Sequence, residues 1–150
     1  LPEKLGKHVS DLGAGWGFLS AHALTREGVE AVHLVEAGHT ALECARRNVT
    51  DPRAHFHWAD GTTWEPGHKL DTVVMNPPFH VGRAAEPQIG QAFVASAARL
   101  LSPAGHLWMV ANRHLPYEAE LKTRFIQVEE IGGDGRFKLF HASRPIRKKR

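Results

Sequence analysis

Short apolar segments with the spacing of β-strands alternate with segments of helical spacing along most of this 150-residue chain. This alternation indicates a mostly parallel sheet that is covered by helices on both faces. Two further strands flank a glycine-rich turn at residues 132–135, which predicts a closing hairpin. The expected fold is therefore α/β, with a mostly parallel seven-stranded sheet and a C-terminal antiparallel hairpin. The predicted strands cover residues 7–12, 31–36, 55–58, 70–75, 106–111, 125–131 and 137–142.

The composition is typical of one soluble globular domain. Hydrophobic residues make up 42% and charged residues 23% of the chain. No apolar run approaches the roughly 18 residues of a membrane span, and no signal-peptide pattern is present. The single cysteine, Cys44, excludes an internal disulfide and is expected to be a small buried thiol in a cytoplasmic protein. Because the chain starts at Leu1 rather than at methionine, we also expect a fragment of a longer protein.

The positive charge of the chain is concentrated at its C-terminus. The net charge is +3, but the four residues Arg147 to Arg150 are all cationic, which leaves −1 for the rest. We therefore expect a domain of residues 1–145 followed by a basic tail of residues 146–150. Such a tail can add affinity for phosphate without base specificity, although a solvated terminus is the simpler interpretation.

The loop after the first strand reads Asp11-Leu12-Gly13-Ala14-Gly15-Trp16-Gly17. Its glycines let the backbone approach a ligand closely and adopt positive φ. The spacing differs from the GxGxxG of dinucleotide enzymes, and the Asp11 carboxylate would repel a pyrophosphate at the helix N-terminus. The same carboxylate favours the ammonium and sulfonium groups of S-adenosylmethionine, so this cofactor is preferred over NAD.

Two more acidic residues follow strands at the same predicted edge of the sheet. Glu36, 19 residues after Gly17, is suited to accept hydrogen bonds from ribose hydroxyls. Asp60, after the third strand, is a weaker candidate for the adenine amino group. Ligands of such sheets bind beyond the carboxyl ends of the strands, so Glu36 and Asp60, with the adjacent Ala37 and Gly61, predict a cofactor site there.

The fourth strand leads directly into Asn76-Pro77-Pro78-Phe79-His80. Neither proline has an N–H, and the second restricts Pro77 to an extended conformation, so the carbonyls here have no ladder to join. An amide oxygen, a free carbonyl and an aromatic ring together suit a planar group that carries an NH2. We expect Asn76 and Pro77 to accept its N–H bonds and Phe79 to stack on it, with His80 at the mouth of the pocket.

Together these motifs resemble the class I S-adenosylmethionine-dependent N-methyltransferases over about residues 8–145. Within that class the chain is most similar to the catalytic domain of the small-domain (MTS) ribosomal RNA guanine-N2 methyltransferases. The similarity to this subgroup lies in residues 76–80, 110–117 and 135–138. The chain departs from the family pattern at Ala14, often a cysteine, and at Trp16, where a small residue is common.

The resemblance implies a Rossmann-like class I methyltransferase fold and a preceding domain, a decayed copy of the fold, that this chain lacks. It also implies S-adenosylmethionine as cofactor and ribosomal RNA or a ribosomal subunit, with the small subunit favoured, as partner. The implied catalytic residues are Asn76, Pro77 and Phe79, and the implied substrate contacts are Phe79, His80 and Arg113. The implied cofactor-binding residues are Asp11, Gly13, Gly15, Gly17, Glu36, Ala37, Asp60, Gly61 and Asn76.

The proline motif does not choose the acceptor by itself. It also serves adenine-N6 methyltransferases on DNA or RNA and glutamine-N5 methyltransferases on release factors, since a carboxamide offers the same two hydrogens. The resemblance to the guanine-N2 subgroup in residues 112–117 favours guanine. A non-catalytic, decayed RNA-docking module is a further alternative, against which the intact glycines, Glu36 and Asn76 argue.

The chain contains eleven histidines, which raises the question of a metal site. His55 and His57 share one face of a predicted strand, but no third ligand or CxxC pair accompanies them. No metal site is expected.

Overall fold

The computed structural model describes residues 1–77, 80–81, 84–85, 87–113 and 116–147. Its helices are α1 (Phe18–Ala23), α2 (His39–Asn48), α3 (Pro87–Leu100) and α4 (Tyr117–Arg124). Its strands are β1 (His8–Leu12), β2 (Ala31–Glu36), β3 (Ala54–Trp58), β4 (Leu70–Met75), β5 (His80–Val81), β6 (Ala84–Ala85), β7 (Leu101–Asn112), β8 (Phe125–Gly133) and β9 (Phe137–Pro145).

Seven of these strands form one sheet in the order β3-β2-β1-β4-β7-β9-β8. The pairs from β3 through β7 are all parallel, whereas β9 is antiparallel to both β7 and β8. The mostly parallel seven-stranded sheet with a C-terminal antiparallel hairpin is thus confirmed. The carboxyl ends of β1, β2 and β4 meet at one edge of the sheet, where the predicted site residues follow the strands.

Two local features differ from the prediction. Strands β5 and β6 pair in a separate two-stranded antiparallel sheet, and strands of two residues are too short to leave a periodic signal. Strand β7 begins at Leu101, five residues before the predicted start at residue 106. Its register with β4 shifts between Leu70 and Thr72, so a bulge accommodates the intervening residues, including Pro103.

The sheet carries a hydrophobic core on each face, as predicted for helices on both sides. One core includes Val9, Leu34 and Val74 with residues of α1 and α2, and the other includes α3 and α4. The prediction that the Cys44 thiol is buried was wrong, because Cys44 is exposed on the surface of α2. The buried positions of α2 are Leu42 and Ala45, and the two residues between them, Glu43 and Cys44, are exposed. None of the helices in the described residues is long and apolar enough to cross a membrane.

The first residues of the predicted basic tail lie against the domain. The Ile146 backbone N–H donates to the Arg124 carbonyl at 2.8 Å. The Arg147 guanidinium donates to the Ala98 carbonyl at 3.0 Å and also to the Leu101 carbonyl. These carbonyls belong to the end of α3 and the start of β7, so a cation caps the negative end of the helix dipole. Lys148 to Arg150 lie outside the described residues.

Candidate active site

A cleft of about 600 Å³ opens at the carboxyl-end edge of the sheet, beside the first half of α3. Six of the residues predicted to bind cofactor line it together, which follows from the convergence of parallel strand ends at one edge. The lining residues are Gly13, Val35, Glu36, Ala37, Asp60, Gly61, Thr62, Asn76, Gln88, Ile89, Ala92 and Phe93.

The Glu36 carboxylate is fixed at the end of β2 by two backbone donors. Its Oε1 accepts the Gly15 N–H at 2.8 Å, and its Oε2 accepts the Gly38 N–H at 2.6 Å. Each carboxylate oxygen can accept more than one hydrogen bond, so both oxygens still have lone pairs for hydroxyl donors. The first contact also ties the glycine loop to the second strand.

The Asp60 carboxylate is oriented by the residue that follows Gly61. Its Oδ1 accepts the Thr62 N–H at 2.8 Å and the Thr62 hydroxyl at 2.7 Å. These hydrogen bonds lower the pKa of Asp60 from its ordinary value. The group is therefore an ionised acceptor at neutral pH, on the exposed rim of the cleft.

Asp11 is the most deeply buried of the predicted site residues and does not itself line the cleft. It is 1% exposed, and the Ser20 hydroxyl donates to its Oδ2 at 2.8 Å. Its Oδ1 is buried without a hydrogen-bond partner among the described residues. Burial raises the pKa of Asp11 to about 7, with the Glu36 charge a smaller contribution in the same direction. An unpaired buried carboxylate oxygen next to the glycine loop fits a cationic ligand.

Glycine is required at the three loop positions for different structural reasons. Gly13, Gly15 and Gly17 all have positive φ, at 70°, 57° and 95°, which other residues adopt at a cost. Gly13 lines the cleft. A Cβ on Gly17 would lie 2.8 Å from Val49 Cγ2, so this glycine lets α1 approach the end of α2. Gly17 was predicted to bind cofactor, and the structure supplies a packing reason for it.

Asn76 follows β4 and is exposed at the cleft, and Pro77 beside it is buried. His80 lies in β5. Phe79, predicted to stack on the acceptor, lies outside the described residues. The structure thus brings Asn76 to the same cleft as Glu36 and Asp60.

Arg113, predicted to contact substrate, is hydrogen-bonded to the hairpin. Its Nε donates to the Asp134 carbonyl at 2.5 Å and its Nη2 to the Phe137 carbonyl at 3.3 Å. Its Nη1 lies 3.9 Å from Glu130 Oε2. These contacts brace the turn between β8 and β9 against the end of β7.

Sequence reasoning missed the wall of the cleft that α3 provides. Ile89, Ala92 and Phe93 have the spacing of one apolar helix face. The same face lines the cleft together with Gln88. A Cβ on Gly61 would lie 2.8 Å from Phe93 Cε1, so the glycine after Asp60 admits this ring. The helical spacing was visible in the sequence, but spacing alone does not separate a cleft wall from core.

Within the described part of the chain, no group of three or more His, Cys, Asp or Glu side chains could hold a metal ion. His57 instead belongs to a ring cluster, with its Nε2 2.9 Å from His33 Nδ1. His33 also stacks on His55 at 5.2 Å between centroids. Burial, and then the neighbouring histidines, lower the pKa of His33 to about 4, so the His33 ring is neutral at physiological pH.

Residues 1–141 match the family model described as methyltransferase small domain (MTS). The chain is 33% identical to the ribosomal RNA large subunit methyltransferase G of Alcanivorax borkumensis, over 97% of this chain and 38% of that protein. It is also 33% identical to the ribosomal RNA small subunit methyltransferase C of Hahella chejuensis, over 96% of this chain and 42% of that protein. The chain therefore spans about two fifths of the length of these curated relatives.

Solved structures give a similar result. The 16S rRNA N2 methyltransferase RsmC of T. thermophilus, in complex with AdoMet and guanosine, aligns with a TM-score of 0.75 and 29% identity. The alignment covers 93% of this chain and 38% of that one. A Pyrococcus horikoshii protein described as a putative RNA methyltransferase aligns with a TM-score of 0.71 at 21% identity, which shows a shared fold.

Proposed function

This chain belongs to the methyltransferase small domain family, and from that premise we propose that it is the catalytic domain of a guanine-N2 methyltransferase of ribosomal RNA. The proposed cofactor is S-adenosylmethionine, and the proposed site of action is the cytoplasm. The names of the similar proteins support both the RNA substrate and the cofactor. Those names include large-subunit and small-subunit enzymes, and we retain the small subunit as the preferred target.

One observation carries the proposal. Asn76, which suits an NH2-bearing acceptor, lines the same 600 Å³ cleft as Glu36 and Asp60, which suit the ribose and adenine of an adenosyl cofactor. Methyl transfer needs the donor and acceptor in one pocket with their reacting atoms aligned, and this alignment supplies much of the rate enhancement.

We assign Glu36 to the ribose hydroxyls, Asp60 to the adenine amino group, and the unpaired Oδ1 of Asp11 to the positive charge of the methionine part. When bound, S-adenosylmethionine supplies a methyl group that its sulfonium makes electrophilic. Val35, Ile89 and Phe93 give the cleft apolar walls. Such walls exclude water and strengthen each polar contact within the cleft.

On the acceptor side, the Asn76 side-chain oxygen and the Pro77 carbonyl each accept one N–H of the exocyclic amine. An exocyclic amine is a poor nucleophile because its lone pair is delocalised into the ring. Two acceptors that hold the hydrogens draw the nitrogen towards tetrahedral geometry and free the lone pair for attack. These fixed dipoles stabilise the developing positive charge. The methylated nitrogen is cationic and acidic and releases one proton to solvent, so no strong general base is needed. The target base must leave any helical stack to reach them.

The replacement Asn76→Ala tests this assignment. We expect methyl transfer to fall by about 100-fold or more, as for other preorganised hydrogen-bonding groups at reacting centres. Because Asn76 is only one of several cleft residues, binding of S-adenosylmethionine should be largely retained. Transfer is measured with labelled cofactor on unmethylated ribosomal RNA, and cofactor binding by calorimetry.

The matched control is Gln91→Ala, which removes an exposed side-chain amide from α3 outside the cleft lining. It should transfer methyl groups at the wild-type rate. Wild-type turnover in Asn76→Ala would overturn the role of this residue.

A further inference from the structure

We propose that Arg136, on the turn between β8 and β9, binds a backbone phosphate of the RNA, and that Arg113 is the positioning residue that holds this turn. The inference rests on the proposed function and extends it to the path of the RNA strand. It reassigns Arg113 from substrate contact to brace, because the structure shows its guanidinium already engaged.

Arg113 is hydrogen-bonded to the turn through both its backbone and its side chain. Its N–H donates to the Arg136 carbonyl at 2.8 Å, which extends the ladder between β7 and β9. Its guanidinium donates to the carbonyls of Asp134 and Phe137 on either side. One side chain thus fixes the residues before and after Arg136. The planar fork of arginine suits this bridging, which the single ammonium of lysine cannot reproduce.

Hydrogen bonds within the turn itself also order its backbone. Asp134 Oδ1 accepts the N–H groups of Arg136 and Phe137 at 2.7 and 3.0 Å, and these bonds lower the pKa of Asp134. Gly133 has φ of 140°, and a Cβ there would lie 2.3 Å from the Phe137 carbonyl oxygen. A turn ordered in this way presents Arg136 with little loss of backbone entropy on binding.

The turn lies at the edge of the sheet that carries the cleft. Met109 of β7 pairs with Met75 of β4 on one side and with Phe140 of β9 on the other. From the spacing and rise of β-strands, the backbone of Arg136 lies on the order of 15 Å from that of Asn76. This separation suits a phosphate of the strand whose target base has left the stack and entered the cleft.

The Arg136 guanidinium is accessible for phosphate binding. Arg136 is exposed, and its guanidinium lies 5.8 Å from the centroid of the Phe137 ring. Within the described residues Arg136 forms no ion pair with a carboxylate, whereas the Arg113 guanidinium lies near the Glu130 carboxylate. The nearby Asp134 carboxylate is directed to backbone N–H groups. A guanidinium without a salt-bridge partner is available for the bidentate geometry of a phosphate.

The test uses the full-length protein and an unmethylated fragment of ribosomal RNA. Arg136→Gln should weaken RNA binding by about tenfold, the value of one charge-assisted hydrogen bond. The slope of log affinity against log salt should become shallower by about 0.7 to 0.9, as expected for one lost phosphate contact. The affinity for S-adenosylmethionine and the kcat at saturating RNA should stay at wild-type values.

Arg144→Gln is the matched control, because it removes an exposed arginine from the far end of β9, the strand that follows Arg136. The adjacent Ser143 pairs with His106 near the start of β7, so Arg144 lies at the opposite edge of the sheet from the cleft. This variant should retain the RNA affinity and salt dependence of the wild type.

Arg113→Lys separates bracing from direct contact. We expect it to weaken RNA binding about as much as Arg136→Gln does, and to add less than twofold when combined with that variant. Additive losses would show that Arg113 acts independently of Arg136 and would overturn its positioning role.

Failure of the proposed function can be distinguished from failure of the phosphate contact. If the wild-type protein binds S-adenosylmethionine but methylates no RNA, the proposed function fails and this inference fails with it. If the wild type methylates guanine and Arg136→Gln binds RNA with unchanged affinity and salt slope, only the phosphate contact is refuted. The charge at residue 136 then serves to keep the hairpin from pairing with other chains.

Discussion

At the scale of single residues, Asp11 combines burial with an unsatisfied oxygen. Its side chain is 1% exposed, and Oδ1 has no hydrogen-bond partner in the part of the chain that the structure describes. Leaving a buried acceptor unpaired costs about 1–3 kcal/mol, and burial also raises the pKa of this carboxyl to about 7. Ser20 offsets part of this cost through the other oxygen. We interpret the remainder as a cost of keeping a carboxylate next to the glycine loop.

The pKa of Asp11 gives a prediction about stability against pH. A folded-state pKa above the ordinary 3.8 means that the folded protein binds this proton more tightly than the unfolded chain. The stabilisation is fully present below about pH 4 and is lost as pH rises through about 7. Asparagine cannot ionise, so the free energy of unfolding of Asp11→Asn minus that of the wild type should rise by a few kcal/mol between pH 4 and pH 8.

Urea denaturation of the cofactor-free protein across this range measures that difference. Parallel curves for the two proteins would contradict the raised pKa. The same substitution should weaken the binding of S-adenosylmethionine at pH 8, because it removes the charge assigned to the methionine part.

At the scale of elements, α3 and α4 approach closely at one glycine. Gly90 of α3 is buried, and a Cβ there would lie 1.9 Å from Cε1 of Tyr117, the first residue of α4. Tyr117 is 2% exposed, and its ring has no room to retreat in a close-packed core. This contact positions α3, which supplies Ile89 and Phe93 to the cleft.

Gly90→Ala should therefore destabilise the domain, by about 1–3 kcal/mol for overpacking. Helix propensity alone predicts the opposite sign, a gain of about 1 kcal/mol, so the direction of the change decides between the two effects. Chemical denaturation measures it. The loss should shrink when Tyr117→Leu is also present, because the smaller side chain relieves the clash.

Gly135→Ala is the matched control, since a Cβ at this position would meet no atom within 4 Å. It should change the free energy of unfolding by less than about 0.5 kcal/mol. A stabilised Gly90→Ala protein would show that the two helices can separate without cost.

At the scale of the whole molecule, two titrations act on stability in opposite directions. Burial lowers the pKa of His33 to about 4, so its contribution is present above the ordinary value of 6.5 and is lost as pH falls. Asp11 contributes in the reverse sense between about pH 4 and 7. The stability of the wild type is therefore flatter with pH than either group alone would make it, and the difference between Asp11→Asn and the wild type isolates the contribution of Asp11.

The sequence predicted the fold well where apolar spacing carries information. β1, β2, β4 and the hairpin of β8 and β9 follow from runs of apolar residues and a glycine turn, and parallel topology then brings Glu36, Asp60 and Asn76 to one edge. Contacts that depend on three-dimensional neighbours were not predictable. In the sequence Arg113 is recognisable only as a cation that follows a strand, and the structure shows that its guanidinium donates to carbonyls of the β8–β9 turn. The outward orientation of Cys44 similarly depends on the rotation of α2 about its axis.

We propose that this fold transfers a methyl group to N2 of guanine in ribosomal RNA. The most direct measurement offers the full-length protein labelled S-adenosylmethionine with four acceptors in parallel: naked ribosomal RNA, intact ribosomal subunits, DNA and a release factor. Nucleoside analysis of the labelled product then identifies the modified atom. We predict label in N2-methylguanine of ribosomal RNA, and loss of that label in Asn76→Ala. Label in adenine or in protein, or no transfer to any acceptor by an enzyme that binds the cofactor, would contradict the account.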